Sequence, residues 1–151
     1  MRKARLLLLA GFAFYLLPGF NVMATSPLPY IGSAKRLSPV CVVSGLPEME
    51  IQALQTSLCA EAAHLLNARR SGIEALALND PRLAEPNRLI VGIRAHVETI
   101  EGAGTLLTLN VYVNGAQRLV PTAAHVAPYD GALTPAIREA LRKCLGEQGL
   151  L

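Results

Sequence analysis

With 151 residues, 52% of them hydrophobic and 17% charged, the chain can build one domain around a real core, and general disorder is excluded. Its formal charge of +3 comes entirely from Arg2, Lys3 and Arg5; from residue 25 onward 11 basic residues face 11 acidic ones. A balanced body offers no electrostatic footprint for a phosphate backbone, which argues against a nucleic-acid partner.

Residues 1–5 are cationic, residues 6–17 form an unbroken apolar run, and Pro18-Gly19 breaks it. Val22-Met23-Ala24 then places permitted residues at the last and third-last positions before a cut. This layout predicts a secretory signal peptide over residues 1–24, cleaved after Ala24, and a periplasmic or secreted mature chain with no membrane attachment. The alternative is an uncleaved N-terminal membrane anchor. The apolar stretch 6–20 would rise only about 22 Å as a helix, short of the roughly 30 Å hydrocarbon core. The first cysteine is Cys41, far from the apolar run, so a lipoprotein is excluded.

Residues 25–38 carry Pro27, Pro29 and Gly32 with no apolar period, and read as a flexible arm. A single domain is expected over 39–151. Its first strand, 39–43, is β-branched and buried on both faces. Pro47 opens a helix with Glu48 and Glu50 in the first turn. Ile51, Leu54, Leu58, Ala62 and Leu65 form its stripe, Cys59 lies beside it, and Arg69 and Arg70 close it. Residues 72–88 hold a short strand at 73–78 at most, followed by turn chemistry at Asn79-Asp80-Pro81 and Glu85-Pro86-Asn87.

Two alternating strands follow. Leu89, Val91, Ile93, Ala95 and Val97 point one way, and Gly92, Arg94, His96 and Glu98 the other. After a reversal at Gly102-Ala103-Gly104, Leu107, Leu109, Val111 and Val113 alternate with Thr108, Asn110 and Tyr112. Asn114-Gly115 signals a hairpin into a strand at 117–120. Its register is open, although turning Arg118 outward through a glycine bulge avoids burying an unpaired guanidinium. Residues 121–131 read as irregular. Thr134-Pro135 starts a last helix with the stripe Ile137, Leu141, Cys144 and Leu145, stopped by Gly146. The order β-α-(β)-β-β-β-α predicts an α+β two-layer sandwich. Two helices cover one face of a mostly antiparallel sheet of three to five strands.

Three cysteines in an exported domain allow one internal disulfide. Cys59–Cys144 is favoured, because both lie on or beside inward stripes. Closing a loop of about 85 residues is worth roughly 4–5 kcal/mol in the chain-entropy picture. Cys41–Cys59 is the alternative; otherwise Cys41 is the free, buried thiol. No Cys-x-x-Cys, phosphate loop, His-Glu-x-x-His or nucleophile elbow occurs.

One convergent polar patch can be built, from Arg94, His96 and Glu98 on one strand and Asn110 and Tyr112 on its neighbour. Its plain reading is the solvated side of a half-exposed sheet, and as a candidate site it is a binding face, with no catalytic residue, metal or cofactor assigned. His64 belongs on a polar helix flank, and His125 has no assignment. The functional expectation is an exported, non-catalytic domain that binds a protein or envelope component through its sheet face or an edge. Two alternatives are a small periplasmic enzyme or metal-dependent protein using His96 and Glu98, and a secreted inhibitor or effector presenting residues 72–88.

Overall fold

The computed structural model describes residues 36–114 and 122–151. The elements are β1 (Arg36–Ser44), α1 (Glu48–Asn67), a 3-10 turn (Pro81–Ala84), β2 (Arg88–Ile100), β3 (Gly104–Asn114), β4 (Ala123–Pro128) and α2 (Pro135–Glu147). They form a four-stranded sheet in the order β1-β2-β3-β4. The first pair is parallel, and the other two pairs are antiparallel. This is the expected α+β arrangement. A parallel neighbour needs a long crossover, and the 20 residues of α1 supply it.

β1 starts at Arg36, so three residues assigned to the arm belong to the sheet; the leader and residues 25–35 lie outside the described residues. Leu37, Pro39, Cys41 and Val43 pair with the inward row Leu89, Val91, Ile93 and Ala95. Pro39 has no N–H to offer, which costs nothing on an edge strand, and its carbonyl accepts from Leu76 N–H.

In α1, Leu54, Leu58, Cys59, Ala62 and Leu66 are buried, and Ile51 and Leu65 flank that row half-buried. The helix ends at Asn67, before Arg69 and Arg70, which were expected to close it. The Asn67 side chain is the reason. Its amide nitrogen donates to the carbonyls of Ala63 and Ile73, and its oxygen accepts from Ile73 N–H at 2.9 Å. That clamp turns the chain.

No strand forms over 73–78; one backbone bond to Pro39, with Ile73 and Leu76 buried, holds this segment against β1. Further on, Arg82 is gripped by Asp80 and Glu74. Arg88, whose side chain is only 7% exposed, donates to Glu85 and to Ser38 Oγ. Glu85 also meets Arg36 at 2.9 Å, so one carboxylate sits between two guanidiniums placed opposite each other in the β1–β2 register. The residues expected to present a free recognition loop are thus tied down at several points.

The inward row of β2 and residues Leu107, Leu109 and Val111 of β3 are buried as the alternation requires. The strand expected at 117–120, the turn from Gly115 onward and Arg118 lie outside the described residues. A strand at 123–128 pairs with β3, where irregular chain was expected. Ala123 and Ala127 face the core and are too small to give a β-branched signal. Pro128 interrupts nothing, because it is the last residue of the strand.

α2 begins as expected, with Thr134 Oγ1 accepting from Ile137 N–H and Pro135 in the first turn. It runs through Gly146, the expected stop, to Glu147. The C-cap is Gln148, and Gly149 follows it at φ 70°, where Leu150 N–H reaches Leu145 O and Gly149 N–H reaches Gly146 O. Both helices and the inward rows of all four strands share one core. No helix among the described residues is long and apolar enough to cross a membrane.

The disulfide joins Cys41 to Cys59, with Cα atoms 5.7 Å apart, and this corrects the favoured Cys59–Cys144 pairing. α1 packs on β1, whereas α2 packs on β3 and β4. Cys59 therefore sits over one end of the sheet and Cys144 over the other. Cys144 is the free thiol, fully buried, 3.8 Å from the carbonyls of Leu109 and Ala123. Burial pushes its pKa up to about 11.

Closing the 18-residue separation between Cys41 and Cys59 contributes about 3 kcal/mol in the chain-entropy picture. Reduction should lower unfolding stability by about that amount in urea titrations with and without dithiothreitol. Thiol titration without reductant should find no reactive thiol in the native protein at neutral pH and one after denaturation. Glu85 gives a pH prediction. Its hydrogen bond from Arg88 holds the carboxyl below its ordinary range, with Arg36 adding to the effect. A depressed folded-state pKa contributes stability at neutral pH that disappears as pH falls from about 4.3 through the folded value. Glu85→Gln should flatten the acid limb of a stability–pH profile and leave its neutral-to-basic limb unchanged in shape.

Candidate binding face

Both helices lie on one side of the sheet, so the opposite side carries the alternate residues of each strand. On β1 these are Ser38, Val40, Val42 and Ser44; on β2, Ile90, Gly92, Arg94, His96 and Glu98. On β3 they are Leu106, Thr108, Asn110 and Tyr112, and on β4, Ala124, Val126 and Pro128. The Arg88–Glu85 network closes one end, where Arg88 bonds Ser38; Ser38 and Val40 are both buried. Beyond it Arg94, His96 and Glu98 are exposed, and Asn110 and Tyr112 are half-buried.

The register brings four of the five expected residues into two adjoining groups. Arg94 lies directly opposite Asn110. Tyr112 pairs with Gly92, and its ring lies across the glycine so closely that a Cβ there would be 2.1 Å from ring Cζ. The Arg94 guanidinium then stacks over the same ring, 5.3 Å from its centroid. His96 turns towards β1, where its Nδ1 and Ser44 Oγ are 2.9 Å apart. Glu98 stands further along, opposite Leu106, and joins neither group. Ser44 and Gly92 are the positions of this candidate face that single-strand reasoning missed. Their signal is the parallel β1–β2 register and the cross-strand pair, which no one strand contains.

Chemically, this surface offers an aromatic plane, a guanidinium with no carboxylate pairing among the described residues, and a hydroxyl–imidazole pair. Ser44 and His96 lie on an exposed face, and no carboxylate orients the second ring nitrogen among the described residues. No group of three or more His, Cys, Asp or Glu among those residues is placed to hold a metal ion. His64 is exposed on α1, and His125 is on the helix-covered side, 2.7 Å from Glu147. A separate shallow cleft of about 230 Å³ lies between α1 and residues 129–133, lined by Glu50, Ser57 and Tyr129 among others. Burial, with Glu50 and Asp130 nearby, raises the Tyr129 pKa, so that phenol stays protonated. None of the Arg94 group lines this cleft.

Comparisons with protein-family models, curated proteins and solved structures gave no match.

The Gly92–Tyr112 contact generates a direct test. Gly92→Ala must displace the ring, and should destabilise the fold by about 1–3 kcal/mol, the range for overpacking. In a Tyr112→Ala background the same change should cost much less. A double-mutant cycle in urea reads the difference as a coupling.

Proposed function

We propose that this chain is an exported, non-catalytic domain that binds a protein or cell-envelope component through the helix-free sheet face. One observation carries the reading: Arg94 stacked on Tyr112 over Gly92, at the middle of a surface that no described helix covers. Arginine and tyrosine are the residue types that dominate binding energy when a partner desolvates them, and here both are held in place before contact. Val42, Leu106 and Val126 add apolar area around them, with Val126 60% exposed. The Cys41–Cys59 bridge suits an oxidising compartment, in keeping with the leader read from the sequence.

An enzyme or metal-dependent reading would have to work from His96 and Glu98. It is the weaker one, because the imidazole engages Ser44 while Glu98 stands apart. The sheet edge is the other surface in the proposal.

Full-length chain should be expressed with its leader, recovered from the envelope fraction and used to capture partners from envelope extract. Arg94→Ala and Tyr112→Ala should each weaken capture about tenfold or more, the scale of a binding hot spot. Arg142→Ala, on the exposed side of α2, should leave capture unchanged. Equal capture by all four proteins would overturn the assignment of this face.

A further inference from the structure

The two edges of the sheet are treated differently. The outer edge of β1 is met at one point by the segment 73–78, whose Leu76 N–H bonds Pro39 O. No strand or loop among the described residues pairs with the outer edge of β4.

The backbone phase of that edge follows from one bond. Tyr129 N–H donates to Thr105 O, and the β3–β4 register continues this pairing without a break. In an antiparallel ladder the bonded pairs alternate, so Ala123, His125 and Ala127 spend their backbone groups on β3. Ala124 and Val126 therefore point their N–H and C=O groups outward. Pro128, the next outward position, has no N–H.

Natural edges are usually protected by charged side chains, a proline or a bulge. Residues 123–127 carry no Lys, Arg, Asp or Glu, no proline and no bulge, and Val126 is exposed on this strand. Such an edge accepts an extended segment, and its sequence points to which one. In a two-fold arrangement each residue meets its own copy or a near neighbour, so any charge near the axis would meet a like charge. β4 has no formal charge to repel.

The geometry points to a second copy of this chain as the occupant, with β4 pairing antiparallel to β4 of its twin about a two-fold axis at His125. Ala124 of one copy then exchanges both backbone bonds with Val126 of the other, and the reciprocal pair does the same. All four outward donors nearest the axis are satisfied, and Pro128 stops the ladder just beyond them. On the helix-free side each exposed Val126 lies beside the small Ala124 of its twin. On the helix side the two His125 rings face each other, each still holding its own Glu147. The result is one continuous eight-stranded sheet whose uncovered faces join. Nothing in this assignment depends on what that face binds.

Sedimentation of the full-length protein across a concentration series tests it. Dimers are expected, and amide exchange at Ala124 and Val126 should slow as the dimer fills. Val126→Pro removes only an outward donor and leaves the β3 ladder intact; Val126→Lys brings a charge to the edge without touching the backbone. Either variant should raise the dimer dissociation constant about tenfold or more, with the circular dichroism of the parent. A chain that stays monomeric throughout would overturn the assignment. So would a dimer that survives both substitutions, since it must form elsewhere. Protected Ala124 and Val126 amides in a monomer would also overturn it, by showing that the chain covers its own edge.

Discussion

The parallel pairing of β1 with β2 is the constraint on which the remaining geometry rests. Two parallel strands cannot be joined by a tight turn, so the chain must leave the sheet, form α1 and return. Cys41 and Cys59 sit on the two arms of that excursion and fasten one to the other. The same register sets Cys41 opposite Ile93 in the core and Ser44 opposite His96 at the exposed end. A shift of one residue would turn Cys41 away from α1 and Ser44 into the core, so the bridge and the outer-face pair stand or fall together.

What the amino-acid pattern disclosed was local periodicity. β2 and β3 carry an apolar row at every second position, and every inward residue of β2 is where a period of two puts it. α1 was legible for the same reason, since Leu54, Leu58 and Ala62 recur at helical spacing. β4 was not, because alanines carry its inward positions and their burial leaves no hydrophobic mark. Both helix ends also escaped notice: Asn67 and Gly149 act through bonds to residues several positions away, while Arg69, Arg70 and Gly146 merely resembled terminators. The cysteine pairing failed for a related reason. Two inward stripes say that both helices face the core, not which strands lie beneath each one.

The proposed binding face divides in the same way. That Arg94, His96 and Glu98 share a side follows from strand geometry alone. That Arg94 and Tyr112 meet, while Glu98 stands apart, depends on the β2–β3 register and on Gly92 leaving room for a ring. The glycine lacks a side chain to pack, and the tyrosine laid across it covers the gap. This couples the strength of the sheet to the placement of the group that would touch a partner.

Arg88 and Arg94 show why one end of this surface is closed and the other available. Both project from the same side of β2, six residues apart. Arg88 is withdrawn from solvent, and such a charge is tolerable only with partners; Ser38 and Glu85 supply them, and Glu85 draws in Arg36 as well. A guanidinium so engaged has little left to offer another molecule. Arg94 lies over an aromatic ring, which fixes its plane without consuming its in-plane N–H donors. A partner bringing acceptors to that edge would meet donors already oriented, at an entropy cost largely met during folding. Two residues of one type on one strand thus divide the outer face into an end closed by ion pairs and an end left open, and the boundary is drawn by where the chain places its carboxylates.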